Sequence, residues 1–134
     1  MKIAIDQPEN PDDILKVIID KIKQIDGVDV VNVPLLFGSL EVPEGRPPHY
    51  DYGYDADGEP DYHMAWCKYS ASALMSNDHE GGEFLFLTDN NKIIDEYDKK
   101  KHYKKILIYS VDNKHMVKPT IKGHRIVNLF FFKL

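Results

Sequence analysis

His49, Tyr50 and Asp51 set an imidazole and a carboxylate two positions apart, and of the six histidines only His49 has a carboxylate two positions later. In extended backbone, residues i and i+2 point to the same face, so both side chains can reach one point in a metal-ligand arrangement. In a chain this rich in aspartate the spacing also arises by chance, and taken alone it describes a surface His–Asp pair as well. Further along, His115 stands at the start of a strand after a turn, and Arg125 follows ten residues later. Arg125, Val127, Leu129 and Phe131 alternate onto one face of the last strand, which puts a guanidinium among large apolar residues. That placement is costly unless an anion meets the arginine, so a carboxylate ligand is expected there.

These residues need elements to position them. The segment NPDDILKVIIDKIKQIDG reads as a helix: Asn10 can cap it, Pro11 suits its first turn, Asp12 and Asp13 favour its positive end, and Gly27 can close it. Ile14, Leu15, Ile18, Ile19, Ile22 and Ile25 form one apolar stripe that must pack on something. After Gly27 the pattern changes to short runs rich in β-branched and aromatic residues, among them VDVVNVPLLFG, HMAWCKYSASALM, GEFLFLTD, KKILIYS and HRIVNLFFFK. Roughly seven or eight strands at spacings of about 8 to 12 residues predict a mainly β sandwich or barrel with the N-terminal helix on its outside.

Composition narrows the class. A chain of 134 residues that is 43% apolar suits a single domain spanning 1–134. No apolar run is long enough to span a bilayer, and MKIAIDQPEN reaches acid and proline too early for a secretory segment, so no membrane association is expected. A single cysteine, Cys67, fits the cytoplasm or another reducing compartment. Net charge of -5 argues against nucleic acid as a partner, and the basic run KKKHYKK reads as a solvated loop.

Taken in order, His49-Tyr50-Asp51, the stretch SASALMSNDHEGGEF from Ser70 to Phe84, His115, Arg125 and the apolar strand Val127 to Phe132 resemble the Fe(II)/2-oxoglutarate-dependent dioxygenases. The similarity is to their prolyl 4-hydroxylase-like branch and covers about Val42 to Leu134. It implies a double-stranded β-helix, a cupin-like jelly roll, with iron at its open mouth. By that resemblance His49, Asp51 and His115 are the metal ligands and catalytic centre, and two histidines with one carboxylate leave positions open for 2-oxoglutarate and O2. Arg125 then pairs with the far carboxylate of 2-oxoglutarate, a role suited to a guanidinium fork. The implied reaction couples oxidative decarboxylation of 2-oxoglutarate to hydroxylation of a substrate C–H bond.

Two family tyrosines that hydrogen-bond the cosubstrate are absent: Glu41 and Val42 stand near one position, and Leu74 or Met75 at the other. Ser70, Ser72 or Tyr69 are the candidates to replace them. The expected partner is a peptide, foremost a peptidyl proline, or alternatively a free amino acid or other small molecule. A metal-binding jelly roll without turnover is the alternative of a different class. The acidic, aromatic segment Tyr52 to Tyr62 and the stretch Asp95 to Tyr103 are read as rims that select substrate. His63, His79, His102 and His124 are read as surface or strand residues, with His63 opening the next strand, and Cys67 as a small buried hydrophobe.

Overall fold

A computed structural model describes residues 1–34, 39–53 and 59–134. Twelve strands occur among the described residues. In chain order they are β1 Lys2–Asp6, β2 Val31–Asn32, β3 Ser39–Glu41, β4 Arg46–His49, β5 Tyr69–Leu74, β6 Glu80–Gly81, β7 Phe84–Leu87, β8 Ile93–Tyr97, β9 Lys105–Ser110, β10 Lys114–Val117, β11 Thr120–Lys122 and β12 Ile126–Lys133. Helix α1 spans Ile14–Asp26 and a short helix α2 spans Lys99–His102.

The strands form a larger sheet in the order β1-β9-β5-β12-β2, with β3 also on β12, and a smaller sheet in the order β4-β10-β7-β8. Strand β11 pairs with β6 at one end. All of these ladders are antiparallel. The two main sheets face each other. Phe84 and Phe86 of β7 pack on Leu107 and Tyr109 of β9, so each sheet covers the other's inner face. This is the expected double-stranded β-helix, or jelly roll, with its helix outside.

Helix α1 forms where the sequence places it. Asn10 accepts from the Asp12 N–H and opens a 3-10 turn at Pro11–Asp13, which leads into the helix. Gly27 ends it in the left-handed region at φ 71°, where glycine meets no Cβ penalty, and its N–H returns to Lys23 O. Ile14, Ile18 and Ile22 are buried against Ala71, Ala73, Ile106, Ile108 and Phe132 on the outer face of the larger sheet. Ile25, assigned to the same stripe, is exposed.

Strand β5 is buried along its whole length because it is central in its sheet and covered on both faces. Its odd-numbered residues Tyr69, Ala71 and Ala73 face α1, and Ser70 and Ser72 face the opposite way, into the sandwich.

Several readings are corrected. The first residues, to which the sequence assigned no element, form a strand: Lys2–Asp6 pairs with β9 along its full length. The basic run KKKHYKK is not a loop, since Lys99–His102 form α2 and Lys105 opens β9, and the stretch Asp95 to Tyr103, read as a rim, contains the end of edge strand β8 and that helix. His63 lies in a 3-10 turn at Tyr62–Met64, opened by the Asp61 side chain, and does not begin a strand. Residues 35–38, within the run VDVVNVPLLFG, and 54–58, within the segment Tyr52 to Tyr62, lie outside the described residues.

Candidate metal centre

The two prolines that precede His49 cannot donate to a ladder, which suits β4 to the edge of the smaller sheet. The carbonyl of Pro47 accepts from His49 Nδ1 at 2.7 Å. On the neighbouring strand β10, His115 is the direct register partner of His49, and its Nδ1 donates to Asn113 O at 2.9 Å. A carbonyl can only accept, so both rings carry their proton on Nδ1 and, when neutral, turn a bare Nε2 lone pair inward. This is how metal-binding histidines are commonly oriented.

Asp51, just past the end of β4, completes the group. Its Oδ1 lies 3.3 Å from His49 Nε2 and 3.4 Å from His115 Nε2. All three side chains are buried, and their candidate ligand atoms lie within 4.8 Å of one another. Two lone pairs and a carboxylate oxygen converge on one point, where only protons or a cation relieve the repulsion. Burial by itself would raise the Asp51 carboxyl, but His115 and His49 outweigh it and hold it well below the usual carboxylate range. Burial likewise opposes charge on His115, and the Asp51 charge overcomes it and raises the imidazole above its ordinary value. The donor set therefore fits a divalent metal, and two nitrogens with one oxygen suit iron(II).

The larger sheet supplies the opposite wall. Ser70 Oγ donates to Asp51 Oδ2 at 2.6 Å. Tyr109 Oη lies 3.5 Å from the same oxygen and 3.4 Å from His115 Nε2. From the smaller sheet, Phe84 stacks on the His115 ring at 5.3 Å between centroids. The cleft that opens over the three residues measures about 540 Å³ including its mouth and is lined by apolar side chains such as Leu40, Val42, Val127 and Leu129.

Arg125, immediately before β12, also lines this cleft. It is 8% exposed, and its Nε and Nη2 have no hydrogen-bond partner among the described residues. Burial lowers its pKa to about 10, partly offset by Glu83, so it remains charged at neutral pH. A buried cation with unmatched donors calls for an anion. Gly82 makes room for it: at φ 69°, a Cβ there would stand 2.5 Å from Arg125 Cδ. The same point is 3.2 Å from Thr120 Oγ1, another buried atom without a partner among the described residues.

The structure thus brings together His49, Asp51, His115, Ser70 and Arg125, with Ser72 on the cleft wall. Tyr69 lies elsewhere, because its strand position points it outward, where its hydroxyl donates to Asp26 of α1 at 2.6 Å. Cys67 is fully buried with its thiol pushed up to about 11, chiefly by burial, as befits an inert side chain. Sequence reasoning missed Tyr109, and it placed His79 and His102 on the surface or in a strand although both are buried. His102 sits at the end of α2 with Nε2 on Ser72 O at 3.0 Å.

No protein-family model matches the sequence, and no curated protein matches it. Solved structures do share its fold. An oxidoreductase of the 2OG-Fe(II) oxygenase family from Burkholderia pseudomallei superposes with a TM-score of 0.64 at 12% identity over 98% of this chain. A Pseudomonas putida prolyl-4-hydroxylase superposes with a TM-score of 0.58 at 18% identity, also over 98% of this chain. The chain spans 66% and 70% of the lengths of those two proteins. Fold and site together define a double-stranded β-helix with a buried pair of histidines and one carboxylate between its sheets. Among the described residues, no helix is long and apolar enough to cross a membrane.

Proposed function

We propose that this chain is an Fe(II)- and 2-oxoglutarate-dependent hydroxylase acting on a peptide side chain, foremost a peptidyl proline. The observation that carries the reading is the convergence of His49 Nε2, Asp51 Oδ1 and His115 Nε2 between two sheets of this fold. In this reading those three residues hold the metal. When bound, iron(II) with 2-oxoglutarate and O2 would supply the oxidation that hydroxylates a C–H bond.

The chain's own residues do the rest. Pro47 O and Asn113 O fix the imidazole tautomers, so each ring presents Nε2 without rearrangement. Arg125 takes the distal carboxylate of 2-oxoglutarate and sets how far that molecule reaches toward the three ligands. The apolar wall of Val127, Leu129 and Phe131 limits water near the reacting atoms. The choice of substrate draws support from the fold shared with a prolyl-4-hydroxylase.

The test is succinate formation by purified protein given Fe(II), 2-oxoglutarate and O2, with and without proline-containing peptides. Peptide-stimulated succinate and a peptide mass gain of one oxygen are expected. Iron binding with no effect of 2-oxoglutarate on the iron spectrum, and no succinate, would sink the enzyme reading. That outcome would favour a metal-binding module without turnover.

A further inference from the structure

We infer that Ser70 is a positioning residue for this centre, holding Asp51 by Oδ2 so that Oδ1 alone is presented to the metal. The inference rests on the metal-centre reading above and concerns a residue assigned by sequence to cosubstrate contact. A carboxylate has two equivalent oxygens and can turn either, or both, toward a cation. Here they are made inequivalent: Oδ2 accepts a 2.6 Å hydrogen bond from Ser70, while Oδ1 lies between the two imidazoles at 3.3 and 3.4 Å.

The anchor is also the more rigid partner. Ser70 lies on β5, which is hydrogen-bonded to β9 on one side and β12 on the other, and it is fully buried. Asp51 lies beyond the end of β4, which among the described residues is an edge strand paired only with β10. The orientation of the carboxylate is therefore set across the sandwich by the larger sheet. Ser70 has one hydroxyl proton, and at 2.6 Å it belongs to Asp51. The Cys67 thiol, 3.8 Å from Ser70 Oγ, then stands on its acceptor side. The Tyr109 hydroxyl reaches Oδ2 only at 3.5 Å, too long to replace the serine.

Co(II) titration of the purified chain, followed by visible absorption, tests this. Ser70→Ala should weaken Co(II) binding by about tenfold to a hundredfold and alter the cobalt spectrum. Ser70→Thr, which restores a hydroxyl, should recover both. Ser70→Cys, with a weaker donor, should fall between and serves as the deciding variant if circular dichroism shows Ser70→Ala unfolded. Wild-type affinity and spectrum in the deciding variant would overturn the positioning role while leaving the metal centre intact. Failure of the unmodified chain to bind Co(II) would remove the metal centre itself, and this inference with it.

Discussion

His49 and His115 stand directly opposite each other across the β4–β10 ladder, their ring centroids 4.3 Å apart. Their separation is therefore set by the spacing of antiparallel strands and not by the loops that join them. Each ring is turned by a carbonyl two residues before it in the chain, Pro47 O for one and Asn113 O for the other. The same local device on two neighbouring strands gives two inward nitrogens without a long-range network.

Replacing His115 by Ala removes one of these nitrogens and leaves the Asp51 charge facing a single imidazole. Calorimetry with Co(II) should show binding lost or weakened beyond the measurable range. For the unmodified chain, metal at about a hundred times its dissociation constant should add about 2.7 kcal/mol of stability. The variant should gain none of it at the same concentration, and an equal gain would mean that His115 is not a ligand.

Arg125→Met tests the anion site separately from the metal. Metal affinity should survive, while the dissociation constant for 2-oxoglutarate rises by about tenfold to a thousandfold, the loss of a buried ion pair worth about 1.5 to 4 kcal/mol. Equal 2-oxoglutarate affinity in the two proteins would take Arg125 out of the site.

Gly82→Ala reaches the same guanidinium indirectly. An added Cβ would meet Arg125 Cδ at 2.5 Å on backbone held at φ 69°, so the arginine must move and the backbone is strained. The expected cost is about 1 to 3 kcal/mol in denaturant unfolding. A weaker 2-oxoglutarate complex should accompany it, with Co(II) affinity unchanged. A fall in Co(II) affinity as large as the fall in 2-oxoglutarate affinity would indicate a general collapse of the cleft instead.

Acid should destabilise the fold through His102. Burial pushes its pKa down to about 4 from an unfolded value of about 6.5, so the unfolded chain binds more protons between those pH values. Stability from this residue is present above about pH 6.5 and is lost as pH falls toward 4, by up to about 3 kcal/mol. His102→Gln keeps a donor for Ser72 O and does not titrate. Urea midpoints at pH 7.5 and 4.5 should therefore fall further apart for the unmodified chain than for the variant. Equal drops would show that His102 is not the source.

What the sequence made legible, and what it did not, follows from where each side chain is pinned. Helix α1 was readable because the cap at Asn10 that opens the turn leading into it, its stop at Gly27 and its isoleucine spacing are all local signals. The pairing of His49 with Asp51 was readable because two residues in extended backbone share a face. Tyr69 and Ser70 were not separable, since every residue of β5 is buried and alternation carries no label when both faces are covered. Tyr109 had no motif to betray it, because its role depends on β9 crossing the sandwich opposite β10. His102 was hidden by the lysines around it, three of which precede it on a helix too short to show a period.

Strand β5 divides two jobs between adjacent residues: Tyr69 reaches back to Asp26 on the helix, and Ser70 reaches forward to Asp51. Inserting or deleting one residue there would shift every later β5 side chain to the other face, so that a core residue and a cleft residue exchange places. Such a slip would disturb two ladders at once, because β5 is paired with both β9 and β12. In a lineage of this fold, β5 should therefore tolerate changes of residue far better than changes of length.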